Sequence, residues 1–273
     1  MNYTVERLFF KSGARKGQPN GQYLVRWEDY GSTREVKLPG VTTVIKAGLP
    51  APQLLKWSLE QGVSRSIQAV EAALAKGEGL DLAAVRVAAL AEPERIRDET
   101  ADIGTQVHAL IETWLKLGAE PVLAGLDPRV VNGWTRFREW WAESGFTSLR
   151  TEFAVASLDL GCGGTVDCLA LDAEFRRVLV DFKTSNGIHD SHEVQAVTDA
   201  RCVEEMDGES VDRVVIGRFG REDATFDDRE IEPHLWPGHL DQFKRCLETR
   251  EWLNAATARY YARRNGRKVE VTA

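Results

Sequence analysis

The sequence predicts an α/β (α+β) fold in which a central mixed sheet is flanked by helices, with a further helical region toward the N-terminus. Residues 53–117 have the alanine-rich composition and apolar spacing of helices, whereas from Leu149 the apolar residues follow the two-residue spacing of strands. A helical segment at 192–206, an apolar strand pattern at 211–220 and a last helical segment at 240–261 follow. This order of elements is typical of helices packed on a mixed sheet.

The length and composition fit one large globular domain, or a domain with an appended lobe. The chain has 273 residues, of which 43% are hydrophobic and 28% are charged. We assign residues 1–95 to an N-terminal β element and a helical region, and residues 96–273 to the main core with its C-terminal helix. We expect the two regions to form one compact unit. Residues 3–38 supply the β element, because short apolar and polar runs alternate there around a GQPNG turn.

The N-terminal helical region divides at glycine and proline. One helix is predicted to begin near Pro52, because proline is favoured in the first helical turn. Breaks are expected at Gly77 to Gly79 and near Pro93, so that the next helix runs from about Glu94 to Leu117. The expected buried stripe of the first helix consists of Leu54, Leu55, Trp57 and Leu59.

The helix that ends at Leu117 combines an apolar face with a polar side. The residues at helical apolar spacing are Val107, Leu110, Ile111, Trp114 and Leu115. Gly104, His108 and Glu112 are four residues apart and share another side. A single histidine on a helix is more often a packing or surface residue than a ligand. In the next helix, 129–144, four aromatic residues are predicted to belong to the core and not to a base-stacking platform: Trp134, Phe137, Trp140 and Trp141.

The charge and the hydropathy limit the possible partners. The net charge of −7 argues mildly against a nucleic-acid partner, although the carboxylates of an acidic metal site would themselves contribute to that total. The basic stretch from Arg259 to Lys268 fits a solvated terminus and a DNA contact equally well. Neither a membrane-spanning run of about 18 apolar residues nor a secretory signal is present. We therefore expect a cytoplasmic protein without a membrane partner.

The four cysteines are predicted to be free thiols that pack as small hydrophobic residues. They lie at positions 162, 168, 202 and 246 and lack CxxC spacing. Cys162 and Cys168 belong to one strand pattern and Cys202 to a helix, so we expect no iron–sulfur cluster.

Charged side chains end the buried strand pattern VLVDFKTS, residues 178–185. Asp181 and Lys183 are two residues apart and therefore share one face of the strand. Asp167 lies on the preceding strand, just after the close-packing pair Gly163-Gly164. Two carboxylates, with the carbonyl oxygen of Phe182 between them and the lysine, would suit Mg²⁺ or Mn²⁺ and indicate a metal-dependent hydrolase. The alternative is a surface ion pair at a strand end, which contributes about 1 kcal/mol or less.

These motifs together resemble the PD-(D/E)xK nuclease superfamily, and in particular its RecB-type branch of phage and bacterial exonucleases. The sequence GGTVD is followed, 14 residues after its aspartate, by DFK. A GxxxH helix precedes the strands at Gly104 to His108, an acid lies one strand earlier at Glu152, and a glutamine follows on a helix at Gln195. The segment LPGVTTVI followed by LLKW also resembles a region that precedes such cores in phage proteins. The resemblance covers roughly residues 39–205 and depends on the ordered set, because DxK alone is a weak signal.

The resemblance implies a restriction-endonuclease-like core and a role for each matched residue. His108, Glu152, Asp167, Asp181 and the carbonyl of Phe182 would bind one or two Mg²⁺ or Mn²⁺ ions. Asp167, Asp181, Glu152, Lys183 and Gln195 would be catalytic, and Gln195, Thr184 and Ser185 would contact substrate. One departure is that the family helix carries a tyrosine shortly after its glutamine, whereas this chain has Asp199 one turn on.

The implied function is a DNA exonuclease of phage or prophage recombination, repair or processing, acting in the cytoplasm of a bacterial host. It would contact the phosphate backbone without reading sequence, and a recombination partner protein is possible. Two alternatives stay open: a DNA-binding or assembly subunit that keeps the fold without cleaving, and an endonuclease that uses the same site. The oligomeric state is not predicted.

Overall fold

The computed structural model describes residues 3–11, 16–222 and 225–264. The N-terminal region is a three-stranded antiparallel sheet in the order β1-β2-β3. Its strands are β1 (Tyr3–Phe9), β2 (Pro19–Asp29) and β3 (Ser32–Pro39). The predicted β element is therefore confirmed.

Four helices follow, and the residues at their ends explain where they start and stop. They are α1 (Val41–Gly48), α2 (Pro52–Lys76), α3 (Leu82–Leu117) and α4 (Pro128–Ser144). Proline occupies the first turn of α2 and α4, where its missing N–H costs no hydrogen bond. The side chain of Asp81 caps α3, and Gly77 ends α2 in the left-handed conformation with φ 68°.

The predicted helix break near Pro93 is wrong, because α3 continues through this residue. Pro93 cannot donate to the carbonyl of Ala89, one turn earlier. That carbonyl lies against α2 at Gly62, where an added Cβ would be 3.0 Å from the Ala89 oxygen. Close packing of the two helices thus keeps α3 continuous at a point where proline would otherwise end it.

The predicted buried stripe on α2 is also wrong. No residue of α2 is buried, and Leu55 and Leu59 are 66% and 63% exposed. Leu54 is exposed as well, and Trp57 is only partly buried. The reason is that α2 packs along the first half of α3 and away from the main core. Its apolar residues therefore serve the contact with α3 and do not face the core.

The second sheet has five strands in the order β4-β5-β6-β7-β8, and it confirms the predicted mixed sheet. Its strands are β4 (Thr147–Ser157), β5 (Cys162–Leu171), β6 (Arg177–Lys183), β7 (Arg213–Phe219) and β8 (Phe226–Glu230). Strands β4, β5 and β6 are antiparallel neighbours, whereas β6 and β7 are parallel and are joined by α5 (Asp190–Asp207). Strand β8 was not predicted from the sequence, and all of its residues are exposed.

Helices cover both faces of this sheet. On one face α3 and α4 enclose an aromatic cluster that includes Trp134, Phe137, Trp140 and Trp141, as predicted. On the other face α1, α5 and the C-terminal helix α6 (Trp236–Arg264) pack on the apolar side chains of β5, β6 and β7. The four cysteines are free and buried, and Cys168 lies on the opposite face from the other three.

Within the described residues, no helix has the length and apolar character needed to cross a membrane. The basic stretch that begins at Arg259 continues α6 as far as Arg264, and the rest of it lies outside the described residues.

Candidate active site

The site begins where strands β5 and β6 separate. Their pairing ends at Cys168 and Val180. One residue beyond that point, Oδ2 of Asp167 accepts a hydrogen bond of 2.7 Å from the backbone N–H of Phe182. A side-chain carboxylate thus replaces the next backbone bond of the ladder, and the strand ends are left open around it.

Glu152 reaches the same opening from β4 through an unusual backbone conformation. Its φ is +47°, in the left-handed region that residues with a side chain rarely adopt. The neighbouring residues pair normally with β5, Thr151 with Cys168 and Phe153 with Val166, which places Glu152 beside Asp167. Strained residues of this kind are common at functional sites.

His108 completes a three-residue group with the two acids. Its Nδ1 lies 3.6 Å from Oδ1 of Asp167 and 3.9 Å from Oε1 of Glu152. One ligand atom from each of the three residues lies within 4.8 Å of the others, which is a spacing that suits a bound metal ion. Gly104, one turn before His108, allows this approach, because an added Cβ would be 2.9 Å from Oγ1 of Thr184 at the end of β6.

Asp181 and Lys183 form the second part of the site. Nζ of Lys183 lies 2.5 Å from Oδ2 of Asp181, and Oδ1 of Asp181 accepts a long hydrogen bond of 3.4 Å from Nε2 of Gln195 on α5. Asp181 is 5% exposed. The Lys183 side chain retains 16% of its exposure, so it borders the solvent at this end of the sheet.

The carboxylates of this site shift the pKa values of the neighbouring His108 and Lys183. Burial lowers the pKa of His108, but the carboxylates of Asp167 and Glu152 outweigh it and raise the pKa to about 10. Burial also acts against the charged form of Lys183, yet Asp181 and Asp167 raise its pKa above the usual value. Burial raises the pKa of Asp181 to about 6. Without a metal ion, protonated His108 and Lys183 therefore balance the carboxylates of the site at neutral pH, and a bound ion would displace the proton from His108.

A fourth carboxylate, that of the buried Asp199 on α5, lies next to these groups. It is 3% exposed, and burial together with the charge of Asp181 raises its pKa well above the usual range. An added Cβ on Gly164 would lie 2.1 Å from Oδ1 of Asp199, so the glycine provides the space for this carboxylate. In the sequence, Asp199 stands out only as the residue in place of a tyrosine; its distance of four residues from Gln195 is the signal that could have placed it at the site.

The hydroxyl residues after β6 face in different directions. Oγ1 of Thr184 lies against Gly104 on α3, and Thr184 is 9% exposed. The hydroxyl of Ser185 donates a hydrogen bond of 2.8 Å to the carbonyl of Gly187 within the following loop. Of the residues selected from sequence, the structure brings together His108, Glu152, Asp167, Asp181, Lys183 and Gln195, whereas the Ser185 hydroxyl is engaged in its own loop.

Comparisons with known proteins identify no family. No protein-family model matches the chain, and no curated protein matches it. Among solved structures, an exonuclease candidate from Eubacterium rectale aligns at 9% identity and a TM-score of 0.36, over 55% of this chain and 68% of that one. An alkaline exonuclease from Laribacter hongkongensis aligns at 14% identity and a TM-score of 0.29, over 59% of this chain and 91% of that one. Both TM-scores are below 0.5, so these likenesses carry no argument about this chain.

Proposed function

We propose that this protein is a divalent-metal-dependent DNA nuclease. The observation that carries the proposal is the grouping of His108, Glu152 and Asp167 beside the Asp181–Lys183 ion pair at one open end of the sheet. A cluster of candidate metal ligands next to a partly exposed lysine suits metal-assisted hydrolysis of a phosphodiester.

The donor atoms fit a hard or borderline divalent cation. Carboxylate oxygens dominate the group, which suits Mg²⁺, and one imidazole nitrogen makes Mn²⁺ equally suitable. We assign Asp167, Glu152 and His108 as ligands, with Asp181 and the carbonyl of Phe182 as further ligands of one or two ions. When bound, such an ion neutralises charge on the phosphate and supplies a nucleophilic water.

The residues of the chain orient and stabilise the reacting groups around that centre. The N–H of Phe182 holds one oxygen of Asp167, which leaves the other oxygen directed toward His108. Because its pKa is raised, Lys183 is positively charged at neutral pH, and its ammonium group would donate hydrogen bonds to the phosphate in the transition state. Gln195 would position Asp181 or the substrate through its amide group.

The finer proposal follows the resemblance described above. We assign the protein to the exonucleases of phage or prophage DNA recombination, repair or processing in the cytoplasm of a bacterial host, where a recombination partner protein would act with it. Its contacts with DNA would be to the backbone, without sequence readout. An endonuclease that uses the same site would differ in one result, the cutting of circular single-stranded DNA.

Cleavage of end-labelled duplex and single-stranded DNA in Mg²⁺ and in Mn²⁺ tests this function. The wild-type protein should release labelled nucleotides, and Lys183→Ala should lose the activity while its thermal unfolding profile stays intact. Equal activity in Lys183→Ala would show that the assignment is wrong. Retention of DNA without cleavage in either metal would favour the second candidate, a silent DNA-binding subunit, which the absence of the family tyrosine motivates.

A further inference from the structure

Arg218 lies beside Lys183 on the neighbouring strand. In the parallel pairing of β6 and β7, Lys183 is the partner of Arg218 and Asp181 is the partner of Ile216. Adjacent strands are about 4.8 Å apart, so the backbone of Arg218 lies one strand spacing from that of Lys183. Both residues occur at the same end of the sheet, where the candidate metal ligands also lie.

The two cationic side chains also share a face of the sheet. Leu179 on β6 and Ile216 on β7 both pack into the core beneath α5. Side chains two residues apart share a face, so Asp181 and Lys183 lie on the same side as Leu179, and Arg218 lies on the same side as Ile216. Arg218 is therefore directed to the face of the sheet that carries the DxK motif.

Within the described residues Arg218 forms no ion pair, whereas Arg213 on the same strand forms two. Arg213 pairs with Asp172 at 2.9 Å and with Glu230 at 2.6 Å. Arg218 is 8% exposed, and over residues 3–11, 16–222 and 225–264 no acid lies within ion-pair distance of its guanidinium group. Among the described residues, its one hydrogen bond joins Nη2 to Oγ1 of Thr225 at 3.1 Å, and its buried Nε has no partner there.

Asp227 lies opposite Arg218 in the pairing of β7 with β8, but the two side chains form no ion pair, so the guanidinium group can bind another anion. Burial of a charge is costly unless it is paired, and the planar fork of arginine matches the oxygens of a phosphate. Nη1 makes no hydrogen bond within the described part of the chain and is not among the buried unpaired atoms, so it keeps contact with solvent. An anion that enters from the open end of the sheet can therefore reach it.

We propose that Arg218 binds a backbone phosphate of the DNA strand, at or next to the bond that is cut. This inference rests on the proposed function, because it takes nucleic acid as the ligand. It adds a residue that the sequence patterns did not select: Arg218 is the single charge within the buried run Val214–Phe219, and that interruption of an apolar strand is the signal in the sequence.

Fluorescence anisotropy with labelled single-stranded and duplex DNA tests the inference, using the full chain in a Ca²⁺ buffer at several salt concentrations. A gel run after each titration checks that the DNA is intact. The variants are Arg218→Met, Arg218→Lys and the matched control Arg245→Met, which removes the same charge from an exposed position on α6. Arg218→Met should weaken binding by about tenfold at low salt and reduce the slope of log affinity against log salt by about one. Arg218→Lys should give an intermediate affinity, and Arg245→Met should match the wild type.

A stability measurement separates this role from a structural one. Arg218→Met removes an unpaired buried charge and keeps most of the apolar stem, so its unfolding temperature should be no lower than that of the wild type. Wild-type affinity and salt slope in Arg218→Met would overturn the inference. A loss of binding that only follows a lowered unfolding temperature would also overturn it.

The position of the phosphate is tested with strands that carry either a 5′-phosphate or a 5′-hydroxyl. An equal loss of affinity for both strands supports contact with an internal phosphate, and a loss confined to the phosphorylated strand contradicts it.

The binding assay does not depend on cleavage. If the wild-type protein binds DNA but does not cut it in Mg²⁺ or Mn²⁺, the proposed nuclease activity is contradicted, and the role of Arg218 is still tested by binding. If the wild type cuts DNA and Arg218→Met binds it with unchanged affinity, only the role of Arg218 is contradicted. If the wild type does not bind DNA, both the nuclease proposal and the role of Arg218 are contradicted.

Discussion

The carboxylate of Asp199 packs directly on the backbone of Gly164, so that a Cβ at position 164 would lie 2.1 Å from Oδ1 of Asp199. A Cβ and a non-bonded oxygen do not approach so closely, and both partners belong to regular elements, β5 and α5. The glycine therefore fixes how near the helix that carries Gln195 can come to the strand that carries Asp167.

Gly164→Ala should destabilise the protein by about 1–3 kcal/mol, because the new methyl group displaces a buried carboxylate. The double variant Gly164→Ala/Asp199→Ala should recover much of that loss, since it removes the atoms in conflict. Thermal unfolding of the wild type, both single variants and the double variant measures the coupling. Gly79→Ala is the control, because a Cβ there meets nothing within 4 Å. A Gly164→Ala protein as stable as Gly79→Ala would contradict the packing described.

Glu152→Gly should separate stability from activity. The substitution relieves a left-handed conformation, φ +47°, so the free energy of unfolding should stay unchanged or rise by up to about 1 kcal/mol. Activity or metal affinity should fall by about 10- to 100-fold, because one member of the candidate metal group is lost.

Tyr30→Gly is the matched control for this prediction. Tyr30 also has a φ of +47°, and it is fully exposed in the turn between β2 and β3. It should gain stability without any change in activity. A large loss of stability in Glu152→Gly would instead assign the glutamate to the structure of the fold.

Asp172 should make acid stability depend on pH in a defined range. Burial would raise its pKa, but the backbone N–H groups of Arg176 and Glu174 and the guanidinium groups of Arg213 and Arg176 lower it to about 2. Since the folded-state pKa lies below the unfolded one of about 4, the stabilisation is complete above pH 4 and is lost as the pH falls toward 2. Asp172→Asn should therefore be less stable than the wild type at pH 7, by about 1–2 kcal/mol after allowance for solvent screening.

The difference between Asp172→Asn and the wild type should shrink to near zero as thermal unfolding is repeated from pH 5 to pH 2. Asp159→Asn provides the comparison, because Asp159 is exposed and its nearest cationic atom, on Arg201, is 3.9 Å away. A difference that stays constant across this range would show that the Asp172 carboxylate is not held in its ionised form by these partners.

The sequence predicted those parts of the fold whose side chains repeat with a clear period. The strands that contain Asp167 and Asp181 are short, mostly buried apolar runs, and their predicted antiparallel order with the strand of Glu152 is confirmed. Where packing between helices decides the outcome, as at Pro93 in α3 and along α2, the local patterns were misleading. The exposed strand β8 has no apolar pattern to reveal it.

For the site, the resemblance selected residues that the fold brings together, but it could not supply their immediate partners. The left-handed backbone of Glu152, the bond from the Phe182 N–H to Asp167 and the carboxylate of Asp199 over Gly164 all depend on contacts between elements. Contacts of this kind join residues that are distant along the chain, so no local pattern in a single sequence encodes them.

The measurement that tests the central claim most directly is the location of Mn²⁺ by anomalous diffraction in crystals soaked with the ion. The proposed centre predicts a peak within bonding distance of the His108 ring and the carboxylates of Glu152 and Asp167, and loss of that peak in Asp167→Ala crystals. A peak elsewhere, or no peak at these residues at saturating Mn²⁺, would contradict the proposed metal centre.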